Sequence, residues 1–337
     1  MDVKIGLIGY GNVGRSFIQL LKDKREFLKN ELDLNFNVIA IFEFDGALIN
    51  NNGINISELL DKGKEFRNLS YWQENVKIEE LITKLGINVC IEATPTNSNT
   101  GEPALSHIIM ALENDIDIVA SNKGPFYLQS KKIKSLAKKC NCFIGYEATV
   151  ASCVPCLSIK ENLIGNYIIK ITAILNGTCN YILSRMTAEG IPFDIALKEA
   201  QELGYAEADP TLDIEGYDAG GKIVILANEL LGWSKTIQDV KINGITLITP
   251  QAIELAKADG LIIKHLAIAD TKNGELIVEP RLIPRDSPLN ISGTLNVVEL
   301  KTQYAGPIVL MGKGAGGFEA ASAILNDLIN IAKKKQY

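Results

Sequence analysis

The sequence predicts an α/β protein in two parts, a doubly wound parallel sheet followed by an α+β segment with a mixed sheet. Three observations carry this. Up to about residue 148, short and almost wholly apolar runs alternate with amphipathic stretches. Strands apolar on both faces belong to a parallel sheet covered by helices on both sides. Beyond about residue 150, helical stretches give way to runs that alternate like half-exposed strands. The length of 337 residues suits about two domains at roughly 100–200 residues each.

The elements follow in order. Residues 3–9, Val-Lys-Ile-Gly-Leu-Ile-Gly, read as a buried strand. From Gly14 to Asn30 the residues Phe17, Leu20, Leu21 and Phe27 recur at near-helical spacing. A second strand is expected over 37–44, helices over 56–64 and 78–85, and a strand over 88–93 ending at Thr94-Pro95. Then come a helix over 103–113, a strand over 116–120, a helix over 130–139 and a strand over 142–146. The second segment predicts a strand over 168–175 and helices over 181–189, 194–203, 219–231 and 250–258. Strands follow over 262–270, 276–285, 296–301 and 307–311, then a glycine-rich loop from Gly312 to Gly317 and a closing helix over 319–334.

Composition excludes several function classes. The net charge is −6, with 47% hydrophobic and 22% charged residues, as in ordinary globular proteins. A weakly negative chain is a poor match to nucleic acid, which needs a basic surface. The basic runs 131–139 and 333–335 read as solvated helix faces and a cationic helix end. No apolar run of about 20 residues exists to span a membrane. Asp2 and the early glycines argue against a secretory signal, so a cytoplasmic protein is expected. Six cysteines are too sparse for a disulfide scaffold. Cys140-x-Cys142 has too short a spacer for a usual zinc site, and Cys153-x-x-Cys156 brackets Pro155 in an apolar segment. All six read as packing residues.

Gly9-Tyr-Gly11-Asn12-Val13-Gly14 is G-x-G-x-x-G between a buried strand and an amphipathic helix, the context in which this loop binds a dinucleotide. Gly9 permits the turn, Gly11 lets the backbone approach a pyrophosphate, and Gly14 lets helix and strand pack closely. The helix N-terminus offers unpaired N–H groups to the anion. The parallel sheet is therefore expected to be Rossmann-type, formed by 1–148 and completed by 312–337, with 149–311 as the second domain. Ligands bind such sheets beyond the carboxyl ends of the strands, which places the loops at Gly9, Glu43, Thr94 and Ser121 in the site. Glu43 ends the second strand and is expected to accept the adenosine ribose hydroxyls, favouring NAD over NADP. Asp45 competes for that role. No Arg follows the strand to hold a 2′-phosphate, although Lys62 or Lys64 could reach it. Lys123, in Ser121-Asn122-Lys123, falls on the ligand edge of the sheet.

The densest polar segment runs from Leu203 to Asp218 and carries Glu207, Asp209, Asp213, Glu215 and Asp218, with Lys222 next. Asp218 and Lys222 are four apart and share a helix face. A Lys desolvated against apolar walls is suited to proton transfer, with Asp218 orienting it. A surface ion pair has the same spacing. The five carboxylates suit a divalent metal or a cationic substrate group such as an α-amino group, and spacing does not decide between them.

Gly9 to Gly14, Ser121-Asn-Lys-Gly124, Tyr146-Glu-Ala-Thr-Val150, Asn176-Gly-Thr-Cys-Asn-Tyr181, Gly204-Tyr-Ala-Glu-Ala-Asp-Pro210, Gly216-Tyr-Asp-Ala-Gly-Gly-Lys222 and Gly312-Lys-Gly-Ala-Gly316 occur in this order. Together they resemble the homoserine dehydrogenases, from residue 3 to about 333. The resemblance implies reversible oxidation of L-homoserine to L-aspartate 4-semialdehyde with NAD or NADP, in the biosynthesis of threonine, methionine and isoleucine. It implies Lys222 and Lys123 as catalytic lysines, with Asp218 supporting Lys222. It implies Gly177, Thr178, Tyr205, Glu207 and Asp213 at the substrate, the two acids near its amino end. The nucleotide would be held by Gly9, Gly11, Asn12, Val13, Gly14, Glu43, Thr94, Ser121, Lys123 and Gly316. A monovalent cation, usually sodium, maps onto Glu147, Val150, Ser152 and Val154. The second domain would build a homodimer.

This sequence departs from the family pattern at Ala151-Ser-Cys153, where glycines are frequent, and at Cys179, where Thr is frequent. A C-terminal regulatory domain or fused aspartate kinase, carried by many members, is not expected here. Two other readings predict different behaviour. A cysteine-dependent semialdehyde dehydrogenase would use Cys179 and needs a base beside it, with only His107 and His265 available. A non-catalytic nucleotide sensor has no need of Lys123, Asp218 and Lys222 together.

Overall fold

The computed structural model describes residues 1–335. Its contacts divide the chain into two compact units, Met1–Ser152 with the segment from Gly316 onward, and Cys153–Ala315. The sequence predicts these divisions at 148 and 312. The turn Glu147–Thr149 stays with the first unit because the Glu147 backbone N–H donates to Asp327 Oδ2 at 3.0 Å. Gly312 and Gly314 stay with the second, where Gly314 lies against the Asn296 side chain.

The first unit starts with β1 (Asp2–Ile8), α1 (Asn12–Leu32) and β2 (Asn35–Glu43). Next are β3 (Gly46–Ile49), α2 (Ile56–Lys62), a 3₁₀ turn over Gly63–Asn68, β4 (Trp72–Glu74) and the four-residue α3 (Ile78–Leu81). Then come β5 (Val89–Glu92), α4 (Ala104–Glu113), β6 (Asp117–Ala120), α5 (Gly124–Lys139) and β7 (Ile144–Gly145). The sheet order is β4-β3-β2-β1-β5-β6-β7. The five strands from β2 to β7 run parallel, whereas β3 and β4 add an antiparallel edge. The chain reverses its winding at β1, so the crevice beyond Ile8 is the switch point where such sheets bind ligands.

Local chemistry explains the boundaries. Helix α5 starts at Gly124, six residues earlier than expected, because Pro125 lies in its first turn, where its missing N–H costs nothing. A non-helical Gln129 (φ −137°, ψ 25°) kinks it where the expected helix began. Phe17, Ile18, Leu21 and Leu28 of α1 pack on Ile5, Leu7 and Ile41. A long helix after Gly316 closes the same core with Ile324, Leu325, Leu328 and Ile331.

The second unit opens with α6 (Ile159–Asn162), β8 (Ile168–Ile174), α7 (Gly177–Glu189), α8 (Phe193–Glu202), α9 (Thr211–Ile214) and α10 (Tyr217–Leu230). It continues with β9 (Val240–Ile242), α11 (Pro250–Ala258), β10 (Leu261–Asp270), β11 (Glu275–Pro284), β12 (Leu295–Thr302) and β13 (Pro307–Lys313). The chain then returns to the first unit through α12 (Gly317–Lys335). The sheet order is β13-β12-β8-β10-β11-β9, antiparallel except for the parallel β11–β9 pair, and so mixed. Cys179, Ile182, Leu183 and Met186 of α7 bury against Ala196, Ala200, Ile253 and Ile263. Within this core Lys264 of β10 is buried, donating to Asn180 Oδ1 at 2.9 Å, to Ser184 Oγ at 3.4 Å and to the Ile291 carbonyl. Burial pulls its ammonium pKa down to about 8. Among the described residues no helix is long and apolar enough to cross a membrane.

Candidate active site

In the first unit the glycine loop leaves β1 and enters α1 at the switch point. Gly9 takes φ +95°, and a Cβ there would sit 2.8 Å from the Ala93 carbonyl oxygen. A Cβ on Gly14 would collide with the Gly9 carbonyl, so helix and loop approach as closely as glycine allows. Gly11 differs. A Cβ there would meet nothing within 4 Å, so the protein itself does not fill the space beside this backbone. Gly11 is also the N-cap of α1 and offers no side-chain cap to the N–H groups of the first turn. A dinucleotide pyrophosphate fits this cradle, with Gly11, Asn12, Val13 and Gly14 as its residues.

Glu43, at the end of β2, faces the same loop. Its Oε1 accepts a short hydrogen bond from the Tyr10 N–H, and its Oε2 lies 3.7 Å from Arg67 Nη2. Asp45, the rival for the ribose, is engaged by Arg67, whose Nε and Nη2 donate to its two oxygens at 2.7 and 3.0 Å. The expectation that no Arg serves this corner is thus corrected: Arg67 reaches it from the 3₁₀ turn 24 residues after Glu43. Lys62 and Lys64 are exposed instead.

The loops after β5 and β6 are tied together. Glu92 is fully buried and accepts from the Thr94 N–H at 2.9 Å and from the Thr94 hydroxyl. His107 Nδ1 lies 2.7 Å from its other oxygen. Asn122 Nδ2 donates to the Thr94 and Pro95 carbonyls at 3.0 and 3.1 Å, and the Ser121 N–H to the Glu92 carbonyl at 3.0 Å. Thr94, Ser121 and Asn122 therefore share one hydrogen-bonded rim, and Lys123 follows at the N-cap position of α5 without a side-chain cap hydrogen bond. Gly316 lies at φ +141° just before α12.

In the second unit Lys222 and Asp218 lie one turn apart on α10, with Nζ 2.7 Å from Asp218 Oδ2 and 2.8 Å from the Leu175 carbonyl. Their side chains are only 12% and 8% exposed, so this is a largely buried pair rather than a surface bridge. The Asn176 amide nitrogen donates to Asp218 Oδ2 at 2.9 Å and to Asp213 Oδ1 at 2.6 Å, drawing both carboxylates together. Its oxygen caps α7 through the Cys179 N–H at 2.9 Å. The Thr178 hydroxyl donates to the Tyr205 carbonyl at 2.8 Å and lies 3.4 Å from Asp213 Oδ2. Gly177 is confined as well, since a Cβ would sit 2.7 Å from the Thr294 carbonyl oxygen. Glu207 is exposed, and the Asp209 carboxylate is used locally on the Thr211 N–H and hydroxyl. The acidic run is thus not one ligand shell. Asp213 and Asp218 converge, and Asp209 closes a turn.

A sequence model of the homoserine dehydrogenase family matches residues 155–329. Homoserine dehydrogenase from Methanocaldococcus jannaschii is 44% identical over 98% of both chains. The chain belongs to the homoserine dehydrogenase family. An NAD(+)-dependent homoserine dehydrogenase from Pseudomonas canavaninivorans is 37% identical, covering 99% of this chain and 98% of its own. A hyperthermophilic archaeal homoserine dehydrogenase solved with NADPH superposes with a TM-score of 0.85 at 27% identity, over 99% of this chain and 98% of that one.

Membership in the homoserine dehydrogenases disfavours the thiol reading of Cys179, and so does its surroundings. The side chain is buried, Sγ lies 3.1 Å from the Asp213 carbonyl, and burial pushes the thiol pKa well up. His107 is engaged by Glu92, and His265 Nε2 by the Asn243 carbonyl at 2.9 Å. Cys153 is exposed, contrary to a packing role, whereas Cys90 and Cys156 are buried. Of the expected cation-site residues, Glu147, Val150, Ser152 and Val154 are all buried, and Ser152 has a left-handed φ of +50°.

Proposed function

We propose that this chain is a homoserine dehydrogenase that reversibly oxidises L-homoserine to L-aspartate 4-semialdehyde with NAD or NADP, in amino-acid biosynthesis. The observation that carries the reading is the largely buried Asp218–Lys222 pair joined through Asn176 to Asp213, in a chain of this family. The nicotinamide, when bound, exchanges the hydride. The protein handles the proton and the charge. In the reducing direction Lys222 donates a proton to the aldehyde oxygen and stabilises its developing charge. Asp218 and the Leu175 carbonyl hold that ammonium in place before the reaction, which makes a fixed charge effective. Proton transfer by a positioned group is worth about 10²–10⁴-fold. Lys123 is assigned to the same oxygen by the family resemblance.

Asp213 and Glu207 receive the substrate ammonium, with Gly177, Thr178 and Tyr205 as the remaining substrate contacts. Gly9, Gly11, Asn12, Val13, Gly14, Glu43, Thr94, Ser121, Lys123 and Gly316 hold the nucleotide. A monovalent cation on the carbonyls of Glu147, Val150, Ser152 and Val154 belongs to the same reading, as does a cytoplasmic location. So does a homodimer, which would cover Leu282 of β11 and Met311 of β13, both more than half exposed.

The experiment is NADH or NADPH oxidation by the purified protein with aspartate semialdehyde, in wild type and Lys222→Ala. Turnover lost in the variant is expected. A wild type that binds nucleotide without turnover is a sensor and overturns the assignment.

A further inference from the structure

We propose that Asp45 and Arg67 form a nucleotide selector: Asp45 holds the Arg67 guanidinium beside Glu43, so that the ribose corner takes NAD(H) in preference to NADP(H). The proposal rests on the nucleotide reading of the glycine loop given above. It adds the residues that decide between the two coenzymes.

Glu43 is fixed at the loop by the Tyr10 N–H and presents a carboxylate where β2 ends. A ribose diol donates to such a group, whereas a 2′-phosphate there meets like charge. Among the described residues the guanidinium paired with Glu43 is that of Arg67, whose Nη2 lies 3.7 Å from Glu43 Oε2. It is already committed. Both Asp45 oxygens accept from it in the forked geometry that a phosphate would need. Its Cζ also lies 4.5 Å from the centre of the Phe66 ring and 5.3 Å from that of Trp72, cation–π contacts that help hold it in place. Arg67 holds the Asp45 carboxyl below its ordinary range, and Asp45 raises the guanidinium in return. Arg15, the next guanidinium, is tied to the Tyr10 carbonyl at 3.1 Å and lies against the Tyr10 ring at 5.2 Å. The cluster of Glu43, Asp45 and Arg67 therefore carries one net negative charge. A 2′-phosphate would have to take Arg67 from Asp45 and leave that carboxylate unpaired.

The test measures equilibrium Kd for NAD+ and NADP+ by calorimetry, alongside kcat/KM with each. Wild type is expected to bind NAD+ roughly tenfold tighter or more, about 1.4 kcal/mol. Asp45→Asn keeps the shape and removes the charge. It should shift the NADP+/NAD+ binding ratio roughly tenfold toward NADP+, and adding Arg67→Met should abolish that shift. If Asp45→Asn does not fold, Arg67→Met alone must shift the ratio further toward NAD+, since it unmasks both acids. Wild type binding NADP+ as tightly as NAD+ overturns the proposal. So does an unchanged ratio in Asp45→Asn, or in Arg67→Met where that variant stands in. Binding of neither coenzyme to wild type overturns the nucleotide reading as well, so the two failures are distinguishable.

Discussion

Lys222 Nζ stands 2.7 Å from Asp218 Oδ2, one turn back on α10, and 2.8 Å from the carbonyl of Leu175, the residue after β8. One ammonium thus joins the N-terminal turn of a helix to the end of a strand. The pair is largely buried, so removing either member leaves a poorly solvated charge behind.

Lys222→Ala should lower kcat by about 10²–10⁴-fold with a smaller change in KM, because a proton donor acts in the transition state. Steady-state kinetics check this, with circular dichroism confirming the fold. A loss confined to KM would place Lys222 in substrate binding only.

Gly11→Ala separates folding from binding. The Cβ meets nothing within 4 Å and φ is −76°, so stability should change by less than about 1 kcal/mol. Coenzyme affinity should nevertheless fall more than roughly tenfold, since the methyl occupies the space of the pyrophosphate. Thermal melting and calorimetry on one sample read both. Gly14→Ala, which strikes the Gly9 carbonyl, should lose stability as well.

Cys179→Ser should keep nearly full activity. The serine hydroxyl can donate to the Asp213 carbonyl as the thiol does, and a thiol raised by burial is a poor nucleophile. The native enzyme should also resist alkylation at this position by mass spectrometry. Abolished turnover in this variant would restore the thiol mechanism.

Lys264 makes stability depend on pH in a stated direction. Its pKa falls from 10.5 to about 8 in the folded chain. Between those values the unfolded chain holds the proton and the folded one does not, so folding gains stability as pH rises. The penalty is fully present below about pH 8 and is relieved toward pH 10.5. Against Lys264→Met, wild type should gain up to about 3 kcal/mol across that window, at about 1.4 kcal/mol for each pKa unit. Urea unfolding at several pH values measures the slope, and parallel curves would refute it.

The periodic elements were legible in the sequence. β1, α1 and α10 announce themselves by apolar runs or helical spacing, and α11 begins at Pro250 and ends at Ala258 as expected. The edge strands β3 and β4 were not, because four and three residues are too few to show alternation. The helix expected over 78–85 contracts to the four residues of α3. The Asp218–Lys222 contact follows from helical spacing, but its burial depends on what surrounds α10. Two residues of the site were missed. Arg67 meets Asp45 through tertiary folding across the edge hairpin, and no local spacing marks it. Asn176 caps α7 and joins two carboxylates brought from different segments, so its motif was visible and its work was not.

Helix α12 lies at the far end of the chain from α1, yet both bury their apolar faces in one core. The first unit therefore stays unfinished during synthesis until α12 leaves the ribosome. Loss of α12 would strip a wall from the nucleotide half. Nonsense mutations that remove α12 should accordingly produce an aggregating protein, not a shortened active one.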